Sequence, residues 1–223
     1  MHTRRNFAAL AAVGALCLLP GTTYAEDQPE CDKIERAMKA SSPDEIAKIR
    51  GTRRCSQGFP GFSIAAGGGV TVANAGIAQV RQTVTDYGHY ADFMPRFQKS
   101  RIVGKSGPTT DVYLQVAILH GAASVWAVTR FGAPVPESGG ERIEGKLEGK
   151  GNVDDLRAVW HLTPVDADHT IVRLDLLIVP TFPVPHSLVT DELEFASDQA
   201  VSATRDRTEA RCRQLPQQVD AAR

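Results

Sequence analysis

Three segments of the chain alternate apolar and polar residues with the two-residue period of β-strands that bury one face. These segments are 111–118, 155–163 and 170–179. Their apolar positions are Val112, Leu114, Val116 and Ile118 in the first, Leu156, Ala158, Trp160 and Leu162 in the second, and Val172, Leu174, Leu176 and Ile178 in the third. Because a sheet with one apolar face leaves it in water unless a second layer packs on it, the fold needs a covering element.

The C-terminal segment 187–213 has the pattern of that cover. Apolar residues recur at intervals of three and four, which places them on one stripe of a helix; they are Val189, Leu193, Ala196, Ala200 and Ala203. The preceding residues 180–185 include three prolines and cannot form the interior of a helix. We therefore predict a helix over 187–213 that packs on the apolar face of the sheet.

The rest of the chain adds four segments of strand character, which are 62–73, 97–104, 123–131 and 141–148. Close spacing favours antiparallel pairing. The glycine triplet Gly67–Gly69 predicts a bulge or bend in the first of these strands, and 75–86 and 89–94 have helical spacing. The predicted fold class is α+β, with a seven-stranded curved antiparallel sheet that grips a long C-terminal helix.

The N-terminal residues 1–25 have the layout of an export signal: a basic start, an apolar run and small residues before the cleavage point. The apolar run, Phe7–Leu19, has 13 residues, whereas spanning a bilayer takes about 20. The adjacent Arg4 and Arg5 resemble a twin-arginine signal; a general secretory signal that happens to hold two arginines is the alternative. We expect an exported protein, periplasmic or extracellular.

Three cysteines remain after removal of the signal: Cys31, Cys55 and Cys212. Export places them in an oxidising compartment, where disulfides form. A Cys31–Cys55 bridge within the polar N-terminal segment is the favoured pairing, although Cys212 is an alternative partner for either. The expected organisation is a signal over 1–25, a polar, partly helical appendage over 26–61 and a main domain over 62–215.

Several classes of function lack their sequence features. The 25 Lys and Arg against 26 Asp and Glu give a net charge of −1, which argues against a nucleic-acid-binding surface. No CxxC or HxxxH spacing predicts a metal site, and no Ser-His-Asp order or GxSxG motif predicts a hydrolase. No stretch after the signal is long and apolar enough to cross a membrane. We predict no catalytic residue, metal, cofactor or transmembrane segment.

Four local motifs carry a resemblance to a known family. Residues 84–95 read VTDYGHYADFMP, residues 100–103 read SRIV, residues 160–164 read WHLTP, and a proline-rich stretch over 180–189 leads into the last helix. Together, over about 62–213, they resemble the START-like (SRPBCC) superfamily, specifically its polyketide cyclase/dehydrase and coenzyme-Q-binding branch. The resemblance implies the helix-grip fold, in which the sheet wraps the C-terminal helix.

The resemblance also implies a hydrophobic small-molecule ligand, such as a lipid or quinone, between the sheet and the last helix. The candidate ligand-binding residues are Phe93, Met94, Leu114, Val116, Ile118, Trp126, Leu156, Trp160, Leu174, Leu176, Leu193 and Phe195. The sequence does not identify a protein partner. Two alternatives stay open. One is a cyclase, dehydratase or hydrolase with a buried acid/base group, for example Tyr113 or His120. The other is a cell-envelope interaction module with a filled core.

Overall fold

The computed structural model describes residues 30–221, including their side chains except those of His120 and 215–221. The predicted signal over 1–25 lies outside the described residues. The helices are α1 (Glu30–Lys39), α2 (Pro43–Ile46), α3 (Ile77–Val84), α4 (Tyr90–Phe93) and α5 (His186–Ala221), with 3₁₀ turns at Tyr87–His89 and Leu119–Gly121. The strands are β1 (Arg53–Gln57), β2 (Ala66–Ala73), β3 (Phe97–Ser106), β4 (Thr109–Ile118), β5 (Ala123–Phe131), β6 (Val135–Glu137), β7 (Gly140–Gly151), β8 (Val153–Pro164) and β9 (Thr170–Pro180).

All the strands belong to one antiparallel sheet in the order β1-β2-β9-β8-β7-β5-β4-β3, and β6 pairs with β7. The described chain therefore has nine strands where seven were predicted. The two additional strands lack apolar alternation: β6 is three exposed residues, and β1 buries one residue of five. Register shifts between Ile102 and Gly104 and between Val153 and Asp155 bend the strands locally.

The helix α5 is the predicted cover and packs mainly against β2 and β9. It begins at His186, one residue before the predicted start, and extends past the predicted end at 213 to Ala221. The polar C-terminal residues lack the apolar stripe from which the prediction was made. Among residues 30–221, no helix is long and apolar enough to span a membrane.

The glycine triplet of β2 separates two layers that approach the sheet from opposite sides. A Cβ on Gly67 would lie 2.1 Å from the backbone nitrogen of Glu194 in α5, and a Cβ on Gly68 would lie 2.5 Å from the Cys31 sulfur. The pairing with both neighbouring strands continues without a shift through the triplet. The predicted bulge is therefore wrong, and the glycines are needed here because both layers approach the strand closely.

The opposite side of the sheet is covered by the N-terminal segment. Cys31 of α1 and Cys55 of β1 form a disulfide, which is the favoured pairing, and Cys212 is free. The segment predicted as an appendage thus supplies an edge strand of the sheet and packs a small apolar cluster against its outer face, formed by Cys31, Met38, Ile46, Cys55, Val70, Val72 and Ile171.

A buried network of charges lies beside the disulfide. Arg173 of β9, 4 % exposed, donates hydrogen bonds to Asp175 (2.7 Å), Gln57 (3.0 Å) and Glu35 (3.3 Å) and also binds Asp32. Because these partners belong to α1, β1 and β9, the network ties the N-terminal segment to the sheet.

Candidate ligand cavity

An apolar cavity of about 100 Å³ lies between α5 and the inner face of the sheet. The strands β4, β5, β8 and β9 supply its walls, and α5 supplies its roof. The roof is thin because α5 presents small side chains there: Ala196 and Ala200 border the cavity together with Leu193. The alanines of the predicted stripe thus leave space beneath the helix.

Ten of the twelve predicted binding residues border the cavity. They are Met94, Leu114, Val116, Ile118, Trp126, Leu156, Trp160, Leu174, Leu176 and Leu193. Trp126 is a special case, because it alternates with the buried residues of β5 and its ring stacks on Tyr113 at 5.9 Å between centroids. Its indole therefore lies on the outer face of the sheet, while Trp160 is buried on the inner face.

Phe93 and Phe195 do not border the cavity. The ring of Phe195 lies between the guanidinium groups of Arg54 and Arg96, 4.9 and 4.5 Å from its centroid. Phe195 follows Leu193 by two positions, which is about 200° around a helix, so the two side chains point to different sides of α5. Phe93 packs edge-to-face against Tyr90, and the Arg207 guanidinium lies 5.8 Å from its ring centroid.

The prediction missed the inner face of β5. Val125, Ala127, Thr129 and Phe131 all border the cavity and are buried. Their two-residue alternation is present in the sequence, but the prediction assigned the inner face of this strand to Trp126, which has the opposite parity. The other missed positions that border the cavity are Arg96, Phe97, Ala117, Val153, Ala158, Ile178, Glu192, Ala196 and Ala200.

One end of the cavity opens through an apolar mouth. A second, smaller pocket of about 50 Å³ shares residues such as Val125, Ile178 and Leu193 with the cavity. Its outer rim includes Phe182 and Leu188, which are 41 % and 45 % exposed. The apolar lining therefore continues from the interior to the surface.

Polar groups at the mouth hold two loops against α5. Glu192 of α5 forms an ion pair with Arg96 and accepts a hydrogen bond from the backbone nitrogen of Leu119 at 3.3 Å. Arg96 and Leu119 both have positive φ angles, 70° and 49°. Non-glycine residues adopt this conformation rarely, and it is concentrated in turns and at functional sites. Glu192 thus joins three chain segments at the opening.

The motif segment 84–95 packs at the end of the cavity opposite the mouth. Tyr87 stacks on Phe131 at 4.3 Å between centroids, and the buried Tyr90 donates a hydrogen bond to the Val84 carbonyl and accepts one from Trp160. Burial raises the pKa of both tyrosine hydroxyls above the ordinary value, so both stay neutral at physiological pH.

A family model described as polyketide cyclase / dehydrase and lipid transport matches residues 74–205. This range holds 132 of the 223 residues and includes the tyrosine segment, the cavity walls and most of the roof. The chain belongs to this family. No curated protein matches it.

Solved structures place this family member in the START-like, helix-grip fold. The STAR-related lipid transfer protein from Xanthomonas axonopodis matches with a TM-score of 0.61 at 16 % identity, over 71 % of this chain and 94 % of that one. Human StAR-related lipid transfer protein 5 matches with a TM-score of 0.61 at 8 % identity, over 80 % of this chain and 98 % of that one. The Zhui aromatase/cyclase from Streptomyces sp. R1128 matches with a TM-score of 0.51 at 15 % identity, over 72 % of this chain and 96 % of that one. At these identities the likeness shows the fold.

Among the described residues that border the cavity of this family member, two have titratable side chains, Arg96 and Glu192. Both lie at the mouth. Tyr113, named above as a possible acid or base, lies on the outer face of the sheet, and the side chain of His120 is outside the description. Within residues 30–221, no group of three or more His, Cys, Asp and Glu side chains is placed to hold a metal ion.

Proposed function

We propose that the protein binds and carries a hydrophobic small molecule, such as a lipid or a quinone, between its sheet and α5. The observation that carries the proposal is an apolar cavity in the core that opens to the surface through an apolar mouth. Ligand sites are typically concave and mainly apolar, with few polar groups. The names of the Xanthomonas and human relatives, both lipid transfer proteins, support the same assignment.

The size of the cavity limits how the ligand is held. About 100 Å³ accommodates a ring system or the end of an acyl chain, whereas sites for drug-sized ligands measure about 300–1,000 Å³. A longer molecule must extend through the mouth toward Phe182 and Leu188, or α5 must move away from the sheet. We expect the inserted part of the ligand to be compact.

A cyclase-type reaction on an aromatic or polyketide-like substrate is the second candidate. The family description and the Streptomyces aromatase/cyclase support it. It requires an acid or base within reach of the substrate, and Glu192 at the mouth is a carboxylate that borders the cavity. A cell-envelope interaction module has less support, since that reading expects a filled core.

We further propose that this binding takes place outside the cytoplasm. The support is the basic and apolar layout of residues 1–25 together with the Cys31–Cys55 disulfide. Disulfides persist in oxidising compartments and are rare in the cytosol.

The first test is mass spectrometry of a solvent extract from protein purified natively without detergent. We expect a lipid or quinone in a ratio near one per chain. The binding site is then tested with the neutral dye N-phenyl-1-naphthylamine on the variant Ala196→Phe, which places a phenyl ring in the cavity roof. We expect its affinity for the dye to fall about tenfold or more, which corresponds to about 1.4 kcal/mol.

Ala210→Phe is the matched control, because Ala210 is half-buried on the same helix and does not border the cavity. It should bind the dye like the wild type. An empty extract together with equal dye affinity in both variants would refute the proposed site. Turnover of an aromatic substrate that is lost in Glu192→Gln would favour the cyclase candidate.

A further inference from the structure

One hydroxyl in the cavity wall has no partner in the protein. Thr129 of β5 is fully buried and borders the cavity, and its Oγ1 makes no hydrogen bond. Its methyl group lies toward β7, 3.0 Å from where a Cβ on Gly145 would be. A buried hydroxyl without a hydrogen bond destabilises the folded protein, so such groups call for an explanation.

Thr129 lies at the inner end of the cavity. Val125 borders both the mouth pocket and the cavity, and Thr129 follows it by four residues on the same face of β5. At about 3.3 Å per residue, Thr129 lies about 13 Å along the strand from Val125, on the side away from the mouth. Glu192 and Arg96 therefore lie at the opposite end from Thr129.

The other polar groups of the inner core do not hydrogen-bond the Thr129 hydroxyl, because they bond other groups or do not border the cavity. The Trp160 indole donates to Tyr90, which in turn donates to the Val84 carbonyl. The Tyr87 hydroxyl is also unpaired, but Tyr87 packs behind Phe131 and does not border the cavity. The inner wall around Thr129 is otherwise apolar.

We propose that Thr129 hydrogen-bonds an oxygen at the leading end of the ligand, which selects compact apolar molecules that end in a hydroxyl or carbonyl group. The inference rests on the proposed function, since it assigns the orientation of a ligand in that same cavity. A threonine hydroxyl both donates and accepts, so either type of oxygen satisfies it. The apolar remainder of the ligand then extends toward the mouth.

The test compares 2-naphthol with 2-methylnaphthalene, two molecules of similar shape that differ in a hydroxyl against a methyl group. Their dissociation constants are measured by calorimetry on the wild type, Thr129→Val and Thr129→Ser. We expect the wild type to prefer 2-naphthol and Thr129→Val to shift the ratio of the two constants by about five- to tenfold toward the hydrocarbon. Thr129→Ser, which keeps the hydroxyl, should preserve the preference.

The control is Thr204→Val, because Thr204 is also fully buried with an unpaired Oγ1 but does not border the cavity. It should leave the ratio unchanged. In the absence of ligand, Thr129→Val should raise the melting temperature by about 2–4 °C, because it removes an unsatisfied hydroxyl.

The outcomes separate this inference from the proposed function. If both probes bind and Thr129→Val leaves the ratio of their dissociation constants unchanged, the ligand does not hydrogen-bond the Thr129 hydroxyl. The inference is then wrong, while the cavity still binds ligands. If neither probe nor the neutral dye binds, both the proposed function and the inference are wrong. A changed ratio with Thr204→Val as well would assign the effect to general loosening of the core and overturn the role of Thr129.

Discussion

At the scale of single residues, the packing of α5 on the sheet depends on glycines, which have no side chain to keep the helix away. Gly67 allows the backbone of α5 to approach β2, and the Ser197 hydroxyl donates to the Gly67 carbonyl at 3.0 Å. Gly68 makes the corresponding space for the disulfide on the other face. Larger residues at these positions would separate layers that define the cavity roof and the outer cover.

We expect Gly67→Ala to lower the free energy of unfolding by about 3 kcal/mol, because the added methyl group meets the backbone of α5 rather than a movable side chain. Urea denaturation measures the change. Gly58→Ala is the control, since a Cβ there has no atom within 4 Å, and its effect should stay within about 0.5 kcal/mol. Equal stabilities of the two variants would contradict the close helix–strand contact.

At the scale of elements, charges hold the N-terminal segment to the outer face of the sheet. His161 of β8 lies 2.7 Å from Glu137 and 3.3 Å from Asp175, which in turn binds Arg173. Burial by itself would lower the pKa of His161, but the two carboxylates raise it above the ordinary value of 6.5. The protonated imidazolium is therefore the form that folding favours.

The raised pKa of His161 determines how the stability of the protein depends on pH. Because the folded pKa of His161 is raised, its contribution is fully present below about pH 6.5 and is lost as pH rises through the folded pKa. We expect the stability difference between the wild type and His161→Gln to shrink from pH 6 to pH 9 in urea titrations. His186→Gln, which changes an exposed histidine at the start of α5, is the control substitution. A difference that grows with pH would contradict the pairing.

At the scale of the whole molecule, the cavity, the disulfide and the predicted signal together are the basis of our proposal that the protein carries its ligand outside the cytoplasm. The twin-arginine route transports folded proteins, so the type of signal bears on where the ligand is loaded. The short apolar run after Arg4 and Arg5 is the sequence feature on which the export prediction depends.

We expect Arg4→Lys combined with Arg5→Lys to keep the chain inside the cell, because a twin-arginine signal is read through that pair. Cell fractionation with antibody detection measures the distribution, and N-terminal sequencing of the exported chain should find a start near residue 26. Unchanged export of the double variant would indicate the general secretory route, and an unprocessed N-terminus would contradict the signal.

The sequence by itself determined which strand residues face inward. A two-residue period leaves one choice of face, so seven of the chosen positions, all on strands β4, β8 and β9, face inward and border the cavity. Apolar residues at intervals of three and four likewise located α5 and its apolar stripe. These features depend on neighbours in the chain, and their spacing carries the information directly.

Only the tertiary structure decided what the alanines, the glycine triplet and the polar groups do. A small residue fits equally well in a dense contact and beside a cavity, and the difference depends on what lies across from it. Gly67 is explained by α5, more than 120 residues away, and Arg96 by its pairing with Glu192. Such contacts join distant parts of the chain, so no local period records them. The unpaired hydroxyl of Thr129, too, is defined by everything packed around it.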